Sequence, residues 1–347
     1  MRINFRRLLL CSLACVSLIA NASAATLNWT TAIDQASSTT NQLRAVAVAD
    51  QAGNDSVYIG FIQTTGGNRR VYRHDSDSPY GLLNTHLSGN DQPKAIATDD
   101  RGNVFVANRG SSTTSSVIQS FSATLGANST TSATAPVIGG LAIQKSGGAY
   151  YAYATYEANG RIERYNVTAP GAMTLDTSFG TAGVYTIPGA SDLRGIEVGA
   201  DGSLFVASRG DAKVYKVSAD LSSVSSAAVP RAMDVALYGG NVYATSYNGS
   251  SSLIRTLSQS SLSFVEDIAI STLDGNPYSR GSSEGWSGID IGASGRIWLA
   301  DQSYGNVGGV QDRLLVSSSL IPEPTSLAMA GLSCLGFIVV RRRNAQA

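Results

Sequence analysis

Three carboxylates occupy the fourth place of a recurring five-residue pattern: Glu197 in RGIEV, Asp234 in RAMDV and Asp290 in SGIDI. Oxygens from three such groups, turned toward one void, would suit a hard divalent cation, Ca2+ or Mg2+, at roughly 2.3–2.6 Å. A cation so held could activate water for hydrolysis. The first place of the pattern carries a different chemistry, with cations at Arg44, Lys94, Arg194 and Arg231. Two further arginines, Arg109 and Arg209, follow the strands that come next in the chain. Guanidinium forks donate paired hydrogen bonds to carboxylates, so this set would bind an anionic or hydroxyl-rich ligand such as an acidic exopolysaccharide. The opposing possibility is structural: the acids accept backbone N–H groups or pair with the arginines, and no ligand is needed. A third group lies in STLDGNPYSRGSSEGW, residues 271–286. Its Asp274, Tyr278, Arg280, Glu284 and Trp286 are the aromatic and polar types that sugar sites use, although a long Gly/Ser loop can also be plain connection.

Other chemistries find no support. The histidines are His74 and His86, both placed on peripheral strands, which argues against a Ser-His-Asp set. Cys11, Cys15 and Cys334 all lie in the terminal segments, so the body is expected to have neither disulfide nor thiolate. Gly239-Gly240 reads as a hairpin turn rather than a phosphate loop. The chain has 25 basic and 25 acidic residues, but Arg2, Arg6, Arg7, Arg341, Arg342 and Arg343, and the acidic Glu323, are terminal. The body is left at a net charge of about −5, which argues against general nucleic-acid binding.

The elements that must position these residues repeat. The pattern occurs as RAVAV, KAIAT, GGLAI, RGIEV, RAMDV and SGIDI, beginning at Arg44, Lys94, Gly139, Arg194, Arg231 and Ser287. The second place is always Ala or Gly and the third always apolar. Second strands follow as VYIG, VFVA, YAYA, LFVA, VYAT and IWLA, and third strands as VYRH, VIQSF, RIERY, KVYKV, LIRTL and RLLVS. Fourth strands are weaker, near 82–87, 132–135, 184–187, 224–229 and 264–270. Units of about 40–55 residues with four strands each predict an all-β, six-bladed β-propeller. The sixth unit lacks a fourth strand, and TLNWTTA from Thr26 lacks a unit. Residues 27–31 should therefore complete the last blade and close the ring, hiding its edges. A seven-bladed ring with one degenerate blade is the alternative. The units are similar to NHL-type repeats, most closely in IWLAD at 297–301 and in RIERY. Six-bladed lactonases of the gluconolactonase type bind a divalent cation through channel-facing Glu, Asn and Asp. Glu197, Asp234 and Asp290 resemble that set, but no Asn occupies an equivalent place. A propeller lyase of the streptogramin-inactivating type would want a histidine near the mouth, where this sequence places none.

The two ends specify an address. Arg2, Arg6 and Arg7 precede an apolar stretch, 8–20, and Ala22-Ser23-Ala24 follows. This predicts a helical secretory signal peptide over 1–24, removed by signal peptidase. At the other end Pro322-Glu323-Pro324 precedes an uncharged run, 327–340, and Arg341-Arg342-Arg343. As a helix rising about 1.5 Å per residue, that run covers about two thirds of a ~30 Å hydrocarbon core. Counting from Pro324 and letting the arginines snorkel brings it close to spanning, with the arginines in the cytoplasm. The tail resembles the PEP-CTERM sorting signal of Gram-negative bacteria, which implies recognition by an exosortase in the inner membrane. The expected division is 1–24 signal peptide, 25–320 propeller and 321–347 sorting signal. The expected protein is an exported, non-catalytic binding module of the cell envelope or extracellular matrix, without cofactor, whose ligand is a glycan or a surface protein. The opposing expectation is an extracellular metal-dependent hydrolase or lactonase that uses the three acids.

Overall fold

Runs such as Val104–Arg109, Leu204–Ser208 and Ile297–Asp301 combine β-branched and aromatic residues with burial on both faces. A strand covered on both sides needs a packed layer above and another below, which is the position of a strand inside a blade flanked by two other blades. The computed structural model describes residues 27–321 apart from 35–40, 50–55, 64–69, 78, 88–91, 110–115, 133–136, 170–171, 248–251, 271, 279–285, 303–311 and 319. Among the described residues every regular element is a strand, and the strands form six sheets arranged as the six blades of a propeller. The signal peptide and the sorting signal, Pro322, Glu323, Pro324 and Arg341–343 included, lie outside the described residues. No helix among the described residues is long and apolar enough to cross a membrane.

From the axis outward, blade 1 is Asn41–Ala49, Ser56–Gln63, Arg70–Asp75 and Leu82–Leu87. Blade 2 is Gln92–Thr98, Val104–Arg109, Ser116–Phe121 and Ala127–Ser132, and blade 4 is Leu193–Val198, Leu204–Ser208, Lys213–Val217 and Val224–Ala228. In blade 3, Ile138–Ser146, Ala149–Tyr156 and Arg161–Asn166 are followed by two short pieces, Thr174–Leu175 and Val184–Thr186, which share the outer position. Blade 5 is Val235–Tyr238, Asn241–Tyr247, Ser252–Ser258 and Phe264–Ile268. Two expectations shift. The outer strand of blade 2 lies at Ala127–Ser132, ahead of the expected 132–135. The inner strand of blade 5 begins only at Val235, because the Asp234 N–H is taken by Thr245 Oγ1 at 3.0 Å and Arg231 has φ +45°.

Closure follows the expected route. Blade 6 has Trp286–Ile291, Ile297–Asp301 and Arg313–Ser317, and its fourth strand is Trp29–Asp34 from the start of the chain. Asp274 fixes this strand, accepting hydrogen bonds from the Thr31 N–H at 3.0 Å and the Thr31 Oγ1 hydroxyl at 2.7 Å. Trp29 is buried against Leu273, Leu315 and Ile254. The apolar residues divide into six cores, one at each blade–blade interface, and the core joining blade 6 to blade 1 packs Leu43, Val57 and Ile59 against Trp298, Leu314 and Val316. Hence Trp29→Ala is expected to destabilise the fold by about 3–5 kcal/mol, as loss of a buried aromatic does. At the axis, a Cβ added at Gly140 would run into the Arg194 carbonyl oxygen. Gly140→Ala should cost about 1–3 kcal/mol by overpacking. Both are measured as a lower urea midpoint at unchanged m-value, and a wild-type midpoint would refute the closure or the crowding respectively.

Candidate functional site

The first place of the repeat is a β-bulge. The ladder between inner and second strands slips between Leu43 and Ala45, Pro93 and Ala95, Ile138 and Gly140, Leu193 and Ile196, and Trp286 and Gly288. Arg44, Lys94, Gly139, Arg194 and Ser287 sit inside those slips. A bulged residue leaves the alternation of its strand and its side chain is re-aimed, here toward one mouth of the axial channel. The channel encloses a cavity of about 200 Å³ whose wall includes Arg44, Lys94, Ser287, Glu197, Asp234 and Asp290.

At that mouth two cations meet on one carboxylate. Glu157 follows the second strand of blade 3 and accepts Lys94 Nζ at 3.2 Å and Arg194 Nη1 at 2.5 Å. Arg194 also holds Asp192 at 2.8 Å, and Arg209 stands 3.8 Å from the same aspartate. The Lys94 and Arg194 side chains are each only 10% exposed. Burial pushes the Lys94 ammonium down to about 8. Glu157 opposes that shift, while Arg44 and Arg194 add to it. The structure thus brings together Arg44, Lys94, Arg194 and Arg209. Arg231 stands apart, exposed and over the Tyr247 ring at 5.4 Å. Arg109 is half-buried at the end of its strand in blade 2. Sequence reasoning missed Glu157 because it falls in a loop, where the second and fourth units have Gly110 and Gly210.

Deeper in the channel the acids link blades. Asp290 accepts the Val48 N–H of blade 1 at 2.6 Å and its neighbour's, Ile291, at 2.7 Å. Asp234 accepts the Ile289 N–H of blade 6 at 3.0 Å and the Val235 N–H at 2.9 Å. Glu197 accepts a long bond, 3.3 Å, from its neighbour Val198. Burial, then Asp290 and Asp234, raise the Glu197 carboxyl well above the ordinary glutamate range. Burial raises Asp234 to about 7, against its two backbone donors and with a smaller push from Asp290. Among the described residues no three of His, Cys, Asp and Glu are grouped so as to hold a metal ion.

The 271–286 segment serves blade 6. Asp274 anchors the closing strand, and Trp286 is buried with its indole N–H donated to Tyr278 Oη at 3.2 Å. Tyr278 Oη donates to Asp301 at 3.0 Å, and Arg313 pairs with Asp301 at 2.9 Å. Arg280 and Glu284 lie outside the described residues. His74 and His86 lie on the third and fourth strands of blade 1, with His74 Nδ1 3.0 Å from the Tyr80 carbonyl oxygen.

Fold and site together define a six-bladed β-propeller with a charged axial channel. Among solved structures the chain is similar to virginiamycin B lyase from Staphylococcus aureus, at 13% identity and TM-score 0.53, covering 85% of this chain and 100% of that one. It is also similar to U3-55K, at 9% identity and TM-score 0.56, covering 84% and 98%. A third likeness is to a luciferin-regenerating enzyme, at 9% identity and TM-score 0.52, covering 85% and 96%. These likenesses show the fold alone, which lyases, WD40 proteins and other enzymes share. No protein-family model matches the chain, and no curated protein is similar to it in sequence.

The channel acids give stability a definite pH dependence. Native Glu197 and Asp234 hold protons more tightly than the unfolded chain does, so their contribution is fully present below about pH 4 and lost as pH rises through about 7 for Asp234 and through the raised range of Glu197. His74, lowered by burial, acts in the opposite sense, and its contribution is lost as pH falls below about 6.5. Glu197→Gln is therefore expected to raise the unfolding free energy at pH 8 by about 1–3 kcal/mol and to leave it nearly unchanged at pH 4. Urea titrations at the two pH values check this, and parallel wild-type and variant profiles would contradict it.

Proposed function

We propose that this chain is an exported, non-catalytic β-propeller of the Gram-negative cell envelope or matrix, and that its channel mouth binds a carboxylate-bearing glycan. The observation that carries the reading is the arrangement at the mouth: Lys94 and Arg194, each only 10% exposed, point two cations at one oxygen of Glu157, with Arg44 close enough to lower Lys94. A second carboxylate, supplied by a uronic acid, would oppose, as Glu157 does, the burial and like charge that lower Lys94, and would accept the paired donors of a guanidinium. Export rests on the signal-like first 24 residues, and sorting by an exosortase on the Pro-Glu-Pro, apolar run and Arg341–343 at the other end. The hydrolase reading has less support, because Asp234 and Asp290 already accept backbone donors of neighbouring blades.

Calorimetric titration with an oligogalacturonate and with a neutral galactose oligomer of equal length tests the ligand. The acidic oligomer alone is expected to bind, about tenfold more weakly after Lys94→Ala or Arg194→Ala, as for loss of a charge-assisted hydrogen bond. Its affinity should fall as pH rises past 8, where Lys94 loses its proton. Equal binding of the two oligomers, or no binding of either, would overturn the reading. For the address, removal of residues 322–347 is expected to shift the protein from the envelope fraction into the medium of its host, measured by immunoblot. An unchanged envelope fraction would refute the role given to the tail.

A further inference from the structure

The chain leaves the ring at a defined place, on the face opposite the mouth. Inner strands run from the mouth to that face, where they turn back through the hairpins at Asp99–Asn103, Gly199–Ser203 and Gly292–Arg296. In blade 6 the third strand, Arg313–Ser317, descends to the same face. There the Ser318 N–H donates to the Asn28 carbonyl at 2.7 Å, beside the start of the closing strand. The chain then passes inward beneath the blade. The Ile321 N–H donates to the Gly295 carbonyl at 3.0 Å, in the hairpin between the inner and second strands. A Cβ built on Gly295 would stand 2.8 Å from the Ile321 carbonyl oxygen and 2.9 Å from the Tyr238 hydroxyl, so Ile321 sits close to blade 5 as well. Its side chain packs against the core shared by blades 5 and 6. Pro322-Glu323-Pro324 begins at the next residue.

We propose that the face opposite the mouth is the membrane side of the protein: the propeller is held to a lipid bilayer from Ile321, and the channel mouth opens away from the lipid. This orientation deepens, and rests on, the reading of the tail as a membrane anchor. Residues 322–326 separate Ile321 from the apolar run, and five residues reach at most about 18 Å when fully extended. That is enough to set the lower face over the bilayer. To turn the mouth toward the same bilayer, the tether would have to pass outward under three further strands, at about 4.8 Å each, and then up a wall about 20 Å high, the rise of a six-residue strand, a path of roughly 35 Å. The tether is too short for that path. Charge adds no adhesion of its own, since the hairpins of the lower face carry Asp77, Asp100, Asp201 and Asp220 besides Arg101, Lys145 and Arg296, and so present no basic patch to anionic headgroups. The chain is thus tethered at one point, and its mouth is open to a ligand while the tail is still attached.

The test is distance from lipid. Ala158 follows Glu157 on the mouth side of blade 3, Ala200 lies in the lower hairpin of blade 4, and both are exposed. The full chain is prepared with Cys11→Ser, Cys15→Ser and Cys334→Ser, and with either Ala158→Cys or Ala200→Cys as the one thiol for a fluorophore. It is reconstituted into phosphatidylethanolamine–phosphatidylglycerol vesicles that carry a headgroup quencher. Both proteins are expected to float with the vesicles, and, with roughly 20 Å between the two faces, the dye at position 200 should be quenched about threefold more strongly than the dye at position 158. Equal quenching, or stronger quenching at position 158, in protein that floats overturns this orientation and leaves the anchor reading standing. Removal of residues 322–347 should abolish flotation. Flotation that persists without them, or that fails in the full chain, refutes the anchor reading and the orientation with it.

Discussion

The constraint from which the rest follows is the close approach of backbones at the axis. The Gly195 N–H of blade 4 donates to the Met233 carbonyl of blade 5 at 3.0 Å, so two inner strands touch main chain to main chain. There is no room between them for a side chain. Cβ atoms built at Gly139 and Gly140 would strike the backbone of Leu193 and Arg194, and one at Gly195 would strike the Asp234 carboxylate. Small residues at the second place of the repeat are thus a steric requirement. The bulge just before them lets the strand turn into the crowded region while the first-place side chain escapes toward the mouth.

Electrostatics inherits this geometry. Where the inner strands come so close, some of their N–H groups lack a strand partner, and buried donors must be answered. Asp234 and Asp290 answer them across the blade boundary. Glu197, one carbon longer, accepts a long bond from its own neighbour Val198, and burial, with Asp290 and Asp234 beside it, raises its carboxyl well above the ordinary glutamate range. The first three blades have Ala47, Ala97 and Ala142 at that place and leave room for the cavity. One half of the ring therefore supplies acceptors and the other half space, with the cations gathered above both.

Much of this was legible in the sequence because a repeat fixes register. Arg44, Lys94 and Arg194 could be assigned to one mouth, and Glu197, Asp234 and Asp290 to one level, once the small-then-apolar pair was aligned. The fourth strand of the last blade could be sought at the chain's start because that unit ran out of residues. What escaped notice was set by contacts that no period encodes. Glu157 lies in a loop and matters only because Lys94 and Arg194, far apart in sequence, reach it. Arg231 shares the first place of the pattern but leaves the cluster: its backbone turns at φ +45° and its guanidinium lies over the Tyr247 ring. The outer strand Ala127–Ser132 reads ANSTTS, with no apolar alternation to mark its bounds.

Glu157 itself is held by a deeper set of polar contacts. The loop that bears it is clamped at both ends by Glu163, a fully buried carboxylate that accepts Tyr156 Oη and Tyr165 Oη on one oxygen and Arg161 on the other. Burying such a charge is unfavourable unless every lone pair is used, and here three donors converge on it. Burial also drives the Tyr156 phenol far above its ordinary pKa, so its proton stays in the hydrogen bond across the accessible pH range. The Glu157 N–H is fixed to the Val137 carbonyl at 3.1 Å, and the Thr155 hydroxyl donates to the Arg194 carbonyl. Glu157 and Arg194 are thus tied to each other through the backbone as well as through their ion pair. Lys94 and Arg194 are thus oriented about a fixed acceptor, with little side-chain freedom left to them.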